Sequence, residues 1–131
     1  MVAADTNVAV RVLVSDDLRQ QRAIVARLKK VEAAGESVLL TQVVLAEIAW
    51  VLESGYGFAR DDVLRAIATL VTTSPFVPED PAIVADALAI ASGGSVGLAD
   101  GLVLATCRAR GATPLLTLDR KLLREDGCER P

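Results

Sequence analysis

Ser37-Val38-Leu39-Leu40-Thr41, followed without a break by Gln42-Val43-Val44-Leu45-Ala46-Glu47-Ile48-Ala49-Trp50-Val51-Leu52-Glu53-Ser54, carries the architecture of the whole chain. The first segment is a short apolar run with no polar alternation, the pattern of a strand buried on both faces. The second reads as an unusually apolar helix that ends at the break Gly55-Tyr56-Gly57. A strand without a polar face beside a helix almost without one predicts a mainly parallel sheet covered by helices.

The same alternation extends outward in both directions. Val2 to Ala4 reads as a short buried strand ending at Asp5, and Asp16 and Asp17 open an amphipathic helix, Leu18 to Ala33, closed by Gly35. Asp61 and Asp62 begin a further helix to Thr73, and Pro75 to Val77 is a short extended piece. Pro81 opens an Ala-rich helix that Gly93-Gly94 closes, and Leu98 to Arg110 makes another, stopped by Gly111. Thr113 to Leu118 reads as a strand ending at Asp119, before a short basic turn and a polar tail from about residue 125. The 131 residues fit one α/β domain with no repeat or linker.

Composition removes several kinds of chemistry. There is no histidine, so a Ser-His-Asp hydrolase, a histidine-based ribonuclease and a His-ligated zinc enzyme are excluded. Cys107 and Cys128 form no CxxC pair, which excludes a zinc ribbon and a thioredoxin-type site; Cys107 reads as a small core residue. Catalysis must run on carboxylates, hydroxyls, Lys/Arg or a hard metal ion. The uncharged run Ser37 to Ala46 is far shorter than the roughly 20 apolar residues a membrane span needs. Met1 to Asp5 has neither the basic nor the apolar region of a signal peptide, and the expectation is a cytoplasmic protein with no membrane partner. The net charge of −3 argues against a nucleic-acid coating protein. If four of the 17 acids are metal ligands, however, the other 13 face 14 basic residues. Eleven of those are arginine, whose planar fork suits phosphate oxygens, although solvated helix surfaces account for most of them individually.

Most acids stand in helix first turns, loops and the tail, where capping and the macrodipole explain them. Asp5 and Asp119 each follow an apolar strand directly, at the end of a sheet where ligands bind in open α/β folds. A helix N-cap explains either one alone as well as a site does. Glu47 has Val43, Val44, Trp50 and Val51 at helical spacing, and Asp100 has Val96, Gly97, Val103 and Leu104. A carboxylate buried on such a face is costly unless it is paired or binds a cation. Asp86 repeats the pattern in weaker, Ala-rich surroundings. Converging carboxylates would repel one another without a cation, and all-oxygen sites select Mg²⁺, Mn²⁺ or Ca²⁺.

Four stretches carry a resemblance. Ala3-Ala4-Asp5-Thr6-Asn7-Val8-Ala9-Val10-Arg11-Val12-Leu13 resembles the opening strand and turn of the PIN-domain family, and Val44 to Leu52 resembles its second acidic motif. Leu98-Ala99-Asp100-Gly101-Leu102 is similar to the third, and Leu116-Thr117-Leu118-Asp119 to the T-x-D motif that carries the fourth acid. In order and spacing the match runs from residue 2 to about Leu123, and the nearest group is the VapC-type toxins of bacterial toxin–antitoxin pairs. The resemblance implies a three-layer α/β sandwich with a four- or five-stranded parallel sheet between helices, usually dimeric. It implies Mg²⁺- or Mn²⁺-dependent endoribonuclease activity, with Asp5, Glu47, Asp100 and Asp119 as acidic cluster and metal ligands. Thr6, Asn7 and Thr117 would orient carboxylates or water, and a small antitoxin would cover the active-site groove. Many relatives carry a further Asp three residues before the third motif's acid. Gly97 stands there in this chain, and Gly101 replaces a common Ala, which favours one metal ion at rest.

The chemistry expected is metal-ion catalysis on single-stranded or looped RNA. With one Trp, one Tyr and two Phe, base stacking contributes little. A haloacid-dehalogenase-like phosphatase also begins and ends strand-Asp, but it needs a second acid where Asn7 stands. A receiver domain needs an Asp after a middle strand, where Thr41 stands. The remaining competitor is an inert PIN-type module that only binds a partner.

Overall fold

A computed structural model describes every residue, Met1–Pro131. Contacts divide the chain into two compact units, Met1–Glu79 and Asp80–Pro131. No helix is long and apolar enough to cross a membrane.

The first unit is a three-stranded parallel sheet, β1 (Val2–Ala3), β2 (Val38–Leu40) and β3 (Phe76–Pro78), in that spatial order. Val2 pairs with Val38, and Val38 with Phe76. Parallel neighbours require crossovers, and helices supply them. Two helices, α1 (Thr6–Leu13) and α2 (Leu18–Ala33), join β1 to β2; α3 (Gln42–Trp50), a π-helical turn (Val51–Gly55) and α4 (Arg60–Val71) join β2 to β3. Asp5, Asp17 and Thr41 cap α1, α2 and α3 by accepting from the N–H groups of Val8, Gln20 and Val44. Gly35 takes φ +71 just past α2, where its N–H reaches the Glu32 carbonyl and that of Glu36 reaches Val31, the paired bonds of a Schellman end. Val38, Leu40, Leu45, Ile48, Leu52 and Ile67 are almost wholly buried and form the core of this unit.

No helix range is assigned to Thr6–Leu13 from sequence, although Asp5 reads there as a possible N-cap, and the structure puts that cap to use. Val8, Val10 and Val12 alternate with other residues in a way that suits a strand, but the Asp5 cap starts a helix instead.

The second unit holds α5 (Pro81–Gly93), α6 (Leu98–Ala109), β4 (Leu115–Leu116), a 3₁₀ turn (Leu122–Arg124) and β5 (Cys128–Glu129). The two helices pack closely through small residues. A Cβ on Gly101 would lie 2.8 Å from the Ala87 carbonyl oxygen, so glycine sets the separation there. Gly111, at φ +67, ends α6 as Gly35 ends α2.

Every strand pairing is parallel, as the apolar runs imply, three strands forming the ladder of the first unit and two that of the second. The expected strand Thr113 to Leu118 shortens to Leu115–Leu116; Pro114 has no N–H to give. The expected polar tail is also corrected. Cys128–Glu129 pairs with β4, with Leu115 N–H on the Gly127 carbonyl at 2.7 Å and Thr117 N–H on that of Glu129 at 2.9 Å.

Candidate active site

In the first unit the strand β1 ends at Asp5, whose carboxylate caps α1 with a 3.3 Å bond from Val8 N–H. Thr6, the next residue, is the one buried polar side chain of the chain. Its hydroxyl donates to Glu47 Oε2 at 2.7 Å, tying the start of α1 to the middle of α3. Asn7 is exposed and lines a cleft with Arg11 and Gln20.

The expectation that Glu47 lies on a buried face is overturned. Helix α3 buries Leu45, Ile48 and Ala49, and the face carrying Glu47 looks outward, with Val43 68% and Trp50 69% exposed on either side. An almost entirely apolar helix does not reveal from sequence which face is turned in. The acid therefore pays no burial penalty, and its partner is a hydroxyl rather than a cation of the chain.

In the second unit Asp100 is half-buried in the first turn of α6, beside the buried Val96 and Leu104. Burial raises its pKa above the ordinary carboxylate value, the negative charge of Asp119 raises it further, and Lys121 partly opposes both. Asp119 itself is exposed and caps the following turn. One of its oxygens accepts from the N–H groups of Lys121 at 2.7 Å and Leu122 at 3.1 Å. The Thr117 hydroxyl accepts from Asp119 N–H at 3.0 Å, so the threonine of T-x-D fixes the backbone of the acid it precedes. Asp86 is exposed on α5.

The structure thus gives Glu47 held by the Thr6 hydroxyl in the first unit and, in the second, Asp100 under the charge of Asp119, whose backbone Thr117 fixes. Within neither unit do three acidic side chains come close enough to hold a metal ion. Asp100 and Asp119 are carboxylates, donors of the kind a hard divalent ion takes, and their repulsion is of the kind a cation relieves. Two elements escaped the sequence reading. Lys121 appeared only as part of a basic turn. The cluster of Arg11, Asp16, Gln20 and Tyr56 joins residues whose only sequence signal was the helix-start role of Asp16.

The chain matches the PIN domain family over residues 2–127, almost its full length, and it belongs to that family. No curated protein matches it closely enough to add a named relative. PIN domains are in general nucleases and commonly use divalent metals, so this is a nuclease-type fold with the chemistry of a hydrolase. The phosphatase alternative falls with that assignment.

Proposed function

We propose that this chain is a Mg²⁺- or Mn²⁺-dependent endoribonuclease, the toxin member of a bacterial toxin–antitoxin pair. The observation that carries the reading is the Asp100–Asp119 relationship: a half-buried acid pushed up by desolvation and by a second carboxylate. A cation beside Asp100 would offset both contributions, and the chain has no histidine to serve a different chemistry.

Asp5, Glu47, Asp100 and Asp119 are the residues that would hold the ion. When bound, it would acidify a water molecule and neutralise charge on the phosphodiester. Thr6 holds the Glu47 carboxylate in one orientation, and Thr117 holds the backbone from which Asp119 projects. A carboxylate of this set takes the proton of the attacking water, since no imidazole is present. Lys121, near enough to Asp100 to oppose its shift, supplies positive charge for a phosphate oxygen.

The partner side of the proposal is an antitoxin whose segment covers the acidic groove, in a cytoplasmic homodimer. Val43 and Trp50 flank Glu47 as exposed large apolar side chains, which supports a protein covering that face. The test is incubation of the purified chain with total cellular RNA, with and without Mg²⁺. It is paired with co-expression of the adjacent reading frame, which should suppress the cutting. An RNA population left intact in Mg²⁺ and Mn²⁺ would leave only the partner-binding reading.

A further inference from the structure

An open cleft of about 460 Å³ lies beside α1 and α2, lined by Asn7, Val8, Arg11, Gln20, Ala23 and Ile24. Its size is that of a small-molecule site, and it joins an apolar wall to a few polar groups. Asn7 and Arg11 are four residues apart and so share one face of α1. Arg11 Nε donates to Gln20 Oε1 at 2.8 Å. Because arginine can only donate, this bond fixes the Gln20 amide with its oxygen toward Arg11 and its NH₂ group turned away. Arg11 Nη1 donates to the Asp16 carboxylate at 3.0 and 3.2 Å and to the Tyr56 hydroxyl at 3.2 Å, and Tyr56 donates to Asp16 at 2.7 Å. The guanidinium is thereby immobilised and its charge locally balanced, while Arg11 Nη2 and Gln20 Nε2 keep their donors for something outside the chain.

We infer that this cleft is a nucleobase subsite for the RNA strand and that it selects guanine. The inference rests on the ribonuclease reading for its substrate. Two donors coupled through one hydrogen bond match an edge with two neighbouring acceptors, and guanine offers O6 and N7. Adenine has a donor at the position of O6, which would face another donor. Val8, Ala23 and Ile24 supply apolar surface for the flat face of the base. The charge balance at Arg11 favours a base edge over a phosphate, whose binding draws on unpaired positive charge. Asn7 stands two residues beyond Asp5, so the base bound here belongs to a nucleotide close to the bond that is cut.

Two measurements test the subsite separately from the nuclease. In the first, guanosine, adenosine and 7-deazaguanosine 5′-monophosphates are titrated into the full chain without divalent cation, following the side-chain amide NMR signals of Asn7 and Gln20. Guanosine monophosphate should bind about tenfold more tightly than either of the others and shift both amides. Gln20→Glu should remove the preference: Gln20 is exposed, and the carboxylate keeps an acceptor for Arg11 Nε while losing the NH₂ donor. Equal binding of the three nucleotides, or a preference that survives Gln20→Glu, overturns the subsite. In the second, single-stranded RNA of random sequence is cut in Mg²⁺ and the fragment ends are sequenced. Guanosine should be enriched beside the cut, and the enrichment should vanish in Gln20→Glu. Ends with no guanosine bias overturn the subsite and leave the nuclease standing. Guanosine-selective binding without any cleavage does the reverse.

Discussion

The Thr6 hydroxyl donates to Glu47 Oε2 at 2.7 Å across 41 residues of sequence, joining the first acidic motif to the second. Thr6→Val keeps the shape of the buried side chain and removes the donor. Because Glu47 is exposed and can be rehydrated, the loss of stability should be about 1 kcal/mol in urea denaturation. RNA cleavage should slow several-fold, and Thr6→Ser should recover most of it. A Thr6→Val variant as stable and active as wild type would make the bond incidental.

Asp100 gives a pH-dependent expectation. Its folded-state pKa is raised, first by burial and then by Asp119, so the ionised form opposes folding. The destabilisation is absent below the ordinary value of 3.8 and grows as pH rises through the raised folded value. Asp100→Asn without divalent cation should therefore melt higher than wild type at pH 7, by a few degrees at most, with the difference closing in acid. Mg²⁺ should raise the wild-type midpoint and not that of the variant. A lower midpoint for Asp100→Asn would point to a structural hydrogen bond.

Asp16 has the opposite sign. The Tyr56 hydroxyl is the chief cause of its lowered pKa, assisted by Arg11 and opposed by burial. Its contribution is present above the ordinary value of 3.8 and is lost as pH falls through the lowered folded value. Tyr56→Phe should move the Asp16 titration, followed by carboxyl NMR, back toward that value and shift acid unfolding to higher pH. An unchanged Asp16 titration would mean that Tyr56 does not hold it.

Gly101 tests the packing of the second unit. Helix propensity alone favours Gly101→Ala by about 1 kcal/mol. The new Cβ, however, would stand 2.8 Å from the Ala87 carbonyl oxygen, forcing α6 away from α5. A net loss of about 1–3 kcal/mol in urea denaturation is expected. A stabilised variant would mean that the helices part at little cost.

Much of this architecture was legible because end signals and apolar runs agree. Asp17 and Gly35 bound α2, Pro81 and Gly93 span α5, and Gly111 follows α6, as their chemistry predicts. Helix α1 was only half legible: Asp5 read as a possible N-cap, but the alternating valines after it speak for a strand. Strand β5 was hidden for a different reason: its pairing is made by backbone groups, and Cys128–Glu129 has no side-chain pattern to announce it. Among the acids, Asp100 is half-buried as its apolar neighbours suggested, whereas Glu47 shows how an all-apolar helix conceals its outward face. The Thr6–Glu47 bond and the Arg11–Gln20–Tyr56 cluster join separate elements, and no local spacing encodes them.

The most direct test of the account is the rate at which purified chain cuts single-stranded RNA as Mg²⁺ is titrated, for wild type and for Asp5→Asn, Glu47→Gln, Asp100→Asn and Asp119→Asn. Cleavage should require the cation. The first three variants should lose it by a factor of about a hundred or more while keeping wild-type circular dichroism. Asp119→Asn should lose less, because one Asp119 oxygen is already held by two backbone N–H groups, against the single 3.3 Å bond at Asp5. Cleavage that persists in chelator, or that survives both Asp5→Asn and Asp100→Asn, would contradict a carboxylate-held metal as the source of the activity.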